Sequence, residues 1–146
     1  MAVLQNSFFY DADPTRVWAL VTDFKALENV CQRFLSFEGL PEGRLETGQS
    51  FDVMVRLFGR LPAQPYHMEV ELCNDAAMQF QSREKGAGVT QWDHHLWVQP
   101  ERNGTRLRET ITIKAGLATP LFLLWARLLY RGRHAPRVDL LKSGAF

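Results

Sequence analysis

Between Phe34 and Lys114 the chain alternates apolar and polar residues with period two. Phe51, Val53, Val55 and Leu57 alternate with Asp52, Met54 and Arg56. Tyr66, Met68, Val70 and Leu72 alternate with His67, Glu69 and Glu71. The same beat runs through Met78, Phe80 and Ser82, through Trp92, His94, Leu96 and Val98, and through Leu107, Glu109, Ile111 and Ile113. Successive side chains on a strand point to opposite faces, so each run predicts a strand with one apolar and one wet face. Turn-forming residues separate the runs: Pro41-Glu42-Gly43, Gly59 to Pro65, Asn74-Asp75, Gly86-Ala87-Gly88 and Glu101 to Gly104. With Phe34 to Gly39 this makes six strands on short connections, which predicts an antiparallel meander. Val3 to Asp11, rich in β-branched and aromatic residues, adds a strand at the start.

Two stretches switch to helical spacing. Asp13 is a favourable N-cap and Pro14 suits the first helical position, where a missing N–H costs nothing. Val17, Leu20, Val21, Phe24 and Leu27 follow at helical intervals, and Thr22-Asp23 offers a second cap. The pattern predicts two short helices, 14–22 and 24–32. Near the end, Thr119 as cap and Pro120 open a long helix. Leu121 to Trp125, then Leu128 to Tyr130, are apolar over most of its circumference, which predicts a largely enclosed helix. Gly132 and Pro136 predict a kink or fray in its second half.

A sheet with one apolar face needs a cover, and the terminal helix is the only element large enough. The expected architecture is α+β: one domain over residues 1–146, with a curved antiparallel sheet of six to seven strands wrapped around the C-terminal helix. A coiled sheet around one helix leaves room that side chains need not fill. The strands would present Phe51, Val53 and Val55, then Tyr66, Met68 and Val70, then Met78, Phe80 and Ser82 to that space. Trp92, His94, Leu96, Glu109 and Ile111 share the inward face, and Leu121, Trp125 and Leu128 would look back from the helix. Ordinary core packing explains the methionines and aromatics as well as a ligand lining does.

The element order resembles the helix-grip superfamily of START lipid-transfer domains, the birch-pollen-allergen family, coenzyme-Q-binding proteins and polyketide cyclases (SRPBCC). The residues that carry the resemblance are Phe9 to Phe24, with Pro14, Val17-Trp18 and Thr22-Asp23 in the family's opening order. Asn103 to Leu107, the turn into the last strand, and the closing amphipathic helix carry the rest. The Trp common in many relatives after Asp23-Phe24 is missing, and Leu27 to Val30 stand there instead. The resemblance implies a hydrophobic small-molecule ligand such as a lipid, a quinone or a polyketide-like compound, and no cofactor. It also implies, as an alternative, a cyclase or dehydratase.

His94 and Glu109 are polar residues in the apolar register of strands joined by one turn, close enough to interact. Three readings of the pair stand together: a self-satisfied internal pair, an anchor for a ligand headgroup, and a general acid–base couple. Ser82 and Glu84 extend the same face and point to a polar end of the cavity. His94 and His95 face opposite ways on a strand and cannot share an ion, and no metal site is expected. No nucleophile elbow, P-loop or dinucleotide glycine fingerprint is present.

Charge sharpens the picture in one place. The net charge is +1, yet residues 102–146 carry nine Lys/Arg against two Asp/Glu. Arg127, Arg131, Arg133 and Arg137 are expected on a solvated helix face, or on a surface that meets a membrane or an acidic partner. Nucleic acid is not an expected partner, because the aromatics lie in the apolar register. Nothing in the pattern sets an oligomeric state. Two cysteines, Cys31 and Cys73, without close spacing argue against a disulfide framework or a zinc knuckle. No basic-then-apolar leader opens the chain, and the most apolar run, Leu117 to Tyr130, is short and interrupted by Arg127. A reducing cytoplasm is the expected location.

Overall fold

A computed structural model describes residues 1–146. The first strand, β1 (Ala2–Tyr10), leads through Asp13-Pro14 into α1 (Pro14–Val21), and Thr22-Asp23 leads into α2 (Phe24–Cys31). Six strands follow: β2 (Leu35–Glu38), β3 (Ser50–Leu57), β4 (Gln64–Asn74), β5 (Gln79–Gly86), β6 (Val89–Glu101) and β7 (Gly104–Lys114). A short 3-10 turn, Gly116–Ala118, precedes α3 (Thr119–Gly132) and α4 (His134–Ser143).

The sheet order is β1-β7-β6-β5-β4-β3-β2, with every neighbouring pair antiparallel. Strands β2 to β7 form the expected meander. β1 joins it beside β7, from Ala2 opposite Ile113 to Tyr10 opposite Thr105. The alternation in sequence becomes alternation in space: Val53 and Val55, Met68 and Val70, and Leu107, Ile111 and Ile113 are all buried.

The apolar face is covered in two places. Under α1 and α4, Tyr10, Val17, Leu20, Phe80, Leu96 and Leu141 pack together. Under α3, Trp92, Ile111, Ile113, Ala126 and Tyr130 form a second cluster. The two short helices are capped differently. Asp23 accepts a hydrogen bond from the Ala26 N–H at 2.9 Å, whereas the Asp13 side chain makes no capping bond to α1.

The C-terminal helix is broken rather than continuous. Arg133 separates α3 from α4. Two residues explain the break. A Cβ on Gly132 would run into the Phe34 ring, so only glycine permits this close approach. Pro136 falls in the first turn of α4, where its missing N–H is tolerated.

Three expectations about individual residues are corrected. Thr119 does not cap α3. Its hydroxyl accepts from the Ala115 N–H (2.9 Å) and donates to the Gly116 carbonyl (2.8 Å), closing the 3-10 turn. Met78 lies before β5, in the turn, with φ +51°. Leu121 and Leu128 are 69% and 51% exposed, because α3 rests on the sheet by one face only, through Ala126, Leu129 and Tyr130. No helix is long and apolar enough to cross a membrane.

Candidate functional site

The sheet and helices leave between them a cavity of about 110 Å³. Of its 31 lining residues, 23 are hydrophobic, so contact with a guest would be mainly apolar. The sheet contributes Val55, Met68, Val70, Phe80, Trp92 and Leu96. α2 and α3 close it with Phe24, Val30, Trp125 and Leu129.

Polar groups concentrate in two places on this wall. The first is His94. On the paired strands His94 sits opposite Ile111 and Leu96 opposite Glu109, so the two polar residues meet on a diagonal. Their Nε2 and Oε2 atoms are 2.8 Å apart, and both side chains are buried. The Asn6 amide donates to the other Glu109 oxygen at 3.2 Å, across from β1. Burial alone would raise the Glu109 pKa. The His94 hydrogen bond and the positive charges of Arg137 and Arg133 outweigh it and lower the pKa to about 2. Glu109 is therefore a carboxylate. His94 faces the cavity between Phe80 and Tyr130, each ring centroid 5.2 Å away. A histidine backed by a carboxylate can hold or move a proton at the cavity surface.

The second polar group spans β4, β5 and the helix break. Tyr66 and Ser82 both donate to Glu84, at 3.0 and 2.9 Å. Across the space lie Arg133 and Arg137, buried to 7% and 4% exposure. The Arg133 guanidinium covers the Tyr130 ring at 4.5 Å. Burial opposes its charge, but the acidic side chains of Glu109 and Glu84 favour it and its pKa is raised. Tyr130 in turn accepts from the Trp92 indole N–H at 3.0 Å. Burial raises the pKa of Tyr130, of Tyr66 and of the Cys31 thiol, leaving all three protonated.

The structure brings ten of the sequence-predicted lining residues to the cavity. They are Val55, Tyr66, Met68, Val70 and Phe80, together with Ser82, Trp92, His94, Leu96 and Trp125. Seven others lie elsewhere. Phe51 stacks edge-on against Phe24, and Val53 packs in a small cluster with Val55 and Met68. Ile111 is fully buried beneath α3, and Glu109 stands behind His94 rather than at the surface. Met78, Leu121 and Leu128 are displaced for the reasons given above.

Sequence reasoning placed Arg133 and Arg137 on a solvated or docking surface together with Arg127 and Arg131. That expectation is corrected for two of the four. Arg127 and Arg131 are exposed, whereas Arg133 and Arg137 turn inward. Arg133 and Arg137 follow Ala126, Leu129 and Tyr130 at intervals of three, four and seven, so a helical wheel carried through Gly132 puts them on the buried face and leaves Arg127 and Arg131 off it. The signal lies in that spacing, which grouping the four arginines by charge overlooks.

The remaining histidines and cysteines have separate settings. His95 stacks on Trp97 on the opposite face from His94. His67 is held by Asp52 and Glu69, whose hydrogen bonds raise its pKa. His134 stacks against Phe8 and Tyr10. Cys31 and Cys73 are both free thiols. No group of three or more His, Cys, Asp or Glu is placed to hold a metal ion.

Comparison with known proteins places this geometry in a wider setting. A family model described as a domain of unknown function (DUF8410) matches residues 10–139. No curated protein matches the chain significantly. Among solved structures, protein CV1439 from Chromobacterium violaceum is similar at TM-score 0.76 and 13% identity, over 96% of this chain and 97% of that one. A START superfamily protein from Mycobacterium smegmatis matches at 0.73 and 12%, over 97% of each chain. DynU16, a protein of the dynemicin biosynthetic locus, matches at 0.65 and 19%, over 97% of this chain and 48% of its own. At these identities the likeness establishes a shared fold, the START-like helix-grip fold, and nothing about chemistry.

Proposed function

The chain belongs to the DUF8410 family, a domain of unknown function, and from that premise we propose that it binds an apolar small molecule in its internal cavity. The observation that carries this reading is an apolar chamber built from both the sheet and the helices, with its polar groups gathered at a few points. Each 100 Å² of apolar guest surface removed from water contributes about 2.5 kcal/mol before the costs of ordering. A lipid, a quinone or a polyketide-like compound has the required surface. The START superfamily neighbour supports the reading at the level of fold.

The test is native mass spectrometry of protein purified from its own host, paired with uptake of a hydrophobic fluorescent probe by stripped protein. A bound mass released on denaturation, and saturable uptake of the probe, are expected. A bare protein mass with no probe uptake would overturn the proposal.

A second reading rests on a separate observation: His94 lies at the cavity wall with the Glu109 carboxylate directly behind it. That arrangement suits proton transfer to or from a bound carbonyl compound, as a cyclase or dehydratase requires. The residence of DynU16 in a biosynthetic locus is consistent with it. Turnover of a polyketide-like substrate should fall by about 100-fold or more in His94→Ala. Equal turnover in His94→Ala, Glu109→Gln and the parent protein would eliminate this reading.

A further inference from the structure

The cavity contains a feature that apolar binding does not explain. Arg133 and Arg137 both line it, both are more than nine-tenths buried, and neither has a carboxylate within ion-pair distance. The Nε atoms of both are buried without a hydrogen-bond partner. Arg137 makes one side-chain hydrogen bond, a long one from Nη1 to the Tyr10 hydroxyl at 3.4 Å. Arg133 has the face of Tyr130 but no oxygen acceptor.

Two acidic residues are nearby, and both are already engaged. Glu109 takes its hydrogen bonds from His94 and Asn6. Glu84 takes its own from Tyr66 and Ser82. The acceptors are thus occupied by neutral donors and by the histidine, while the two strongest donors in the chamber are left over. A buried guanidinium without an acceptor is among the more costly arrangements a fold can hold. Two of them, a helical turn apart and facing one chamber, form a site for an oxyanion, because the planar donor fork matches a carboxylate or phosphate.

We infer that the guest is an amphiphile with an anionic head, a carboxylate or a phosphate monoester. Arg133 and Arg137 receive the head, and the apolar wall around Val70, Phe80, Leu96 and Leu129 receives the body. This inference rests on the cavity-binding reading above and adds the charge of the ligand. It also assigns the inward half of the arginine cluster a role separate from the exposed half.

The experiment uses the full chain, stripped of bound small molecules, and calorimetric titration with three probes of equal tail: decanoate, decyl phosphate and decanol. At least one anionic probe is expected to bind about tenfold or more tighter than decanol. The preference for decanoate over decyl phosphate, or the reverse, identifies the head. Arg133→Met and Arg137→Met should lose the preference for the anion while keeping decanol affinity. Arg131→Gln, at an exposed position, should keep the preference. A thermal melt supplies a ligand-free readout. Removing an unpaired buried charge should leave the stripped protein as stable as the parent or more so. Equal affinity for all three probes in the parent overturns the anionic head and leaves the apolar reading standing. Retention of the anion preference in both methionine variants also overturns it. Binding of none of the probes overturns the apolar reading itself.

Discussion

At the scale of single residues, the buried Glu109 carboxylate sets the response to acid. Its pKa is lowered from 4.5 to about 2 in the folded protein, by the His94 hydrogen bond and nearby positive charge acting against burial. A carboxyl whose folded pKa lies below its unfolded one stabilises the fold above the unfolded pKa. That contribution is lost as pH falls from about 4.5 toward about 2, and amounts to about 3 kcal/mol. Thermal melts through this window should show the parent losing stability more steeply than Glu109→Gln, which has no proton to gain. Parallel curves would show that the carboxylate carries no such linkage.

His94 and Glu109 were legible as a pair because period two puts both on one face, and one turn joins their strands. The orientation of Arg133 and Arg137 was legible in their helical spacing from Ala126, Leu129 and Tyr130, but not in their charge. Charge alone points such residues to solvent. Met78 was misplaced for a different reason: its apolar side chain fits the alternation, but the backbone there takes φ +51° and belongs to a turn.

At the scale of elements, the helix ends are where local chemistry can be weighed. Asp13 and Asp23 are equivalent caps by sequence, yet only Asp23 bonds a helix N–H. Asp23→Ala should therefore cost about 1 kcal/mol, and Asp13→Ala a few tenths. Chemical denaturation of the two variants checks this, and equal losses would contradict it. The break at Arg133 makes a stronger prediction. Gly132→Ala places a methyl group against Phe34 and should destabilise by about 1–3 kcal/mol. Adding Phe34→Leu should recover part of the loss, a coupling that a double-mutant cycle measures.

All seven strands and both short helices follow from alternation, spacing and turn residues, with ends moved by a residue or two. The enclosure of the C-terminal helix did not follow. An almost wholly apolar helix reads as surrounded, but α3 leaves Leu121, Leu124 and Leu128 facing outward. Periodicity reports that a surface is apolar, and only packing decides whether another surface meets it.

At the scale of the whole molecule, the wrapped sheet was legible because six runs on short connections leave few topologies, and a one-sided sheet demands a cover. The cavity was legible only as an expectation of the fold. Which side chains fill space and which leave it empty depends on the curvature of the sheet, which no residue pattern encodes directly. Ile111 and Val53 share an inward face with Val55 and Val70, yet are sealed beneath other groups.

The pairing of β1 with β7 has a consequence in time. Asn6 meets Glu109 across 103 positions of chain, while every other strand pairs with its immediate successor. Hairpins close quickly and distant ends meet slowly, since the loop between them must be ordered first. The segment made earliest must therefore wait, one edge bare, until Lys114 has left the ribosome. Pulse-labelling with deuterium during refolding should protect the amides of β4 to β6 before those of β1. On the ribosome that wait also precedes the C-terminal helices, whose Trp125, Leu129, Arg133 and Arg137 line the chamber, so the newborn chain has nowhere to keep a guest.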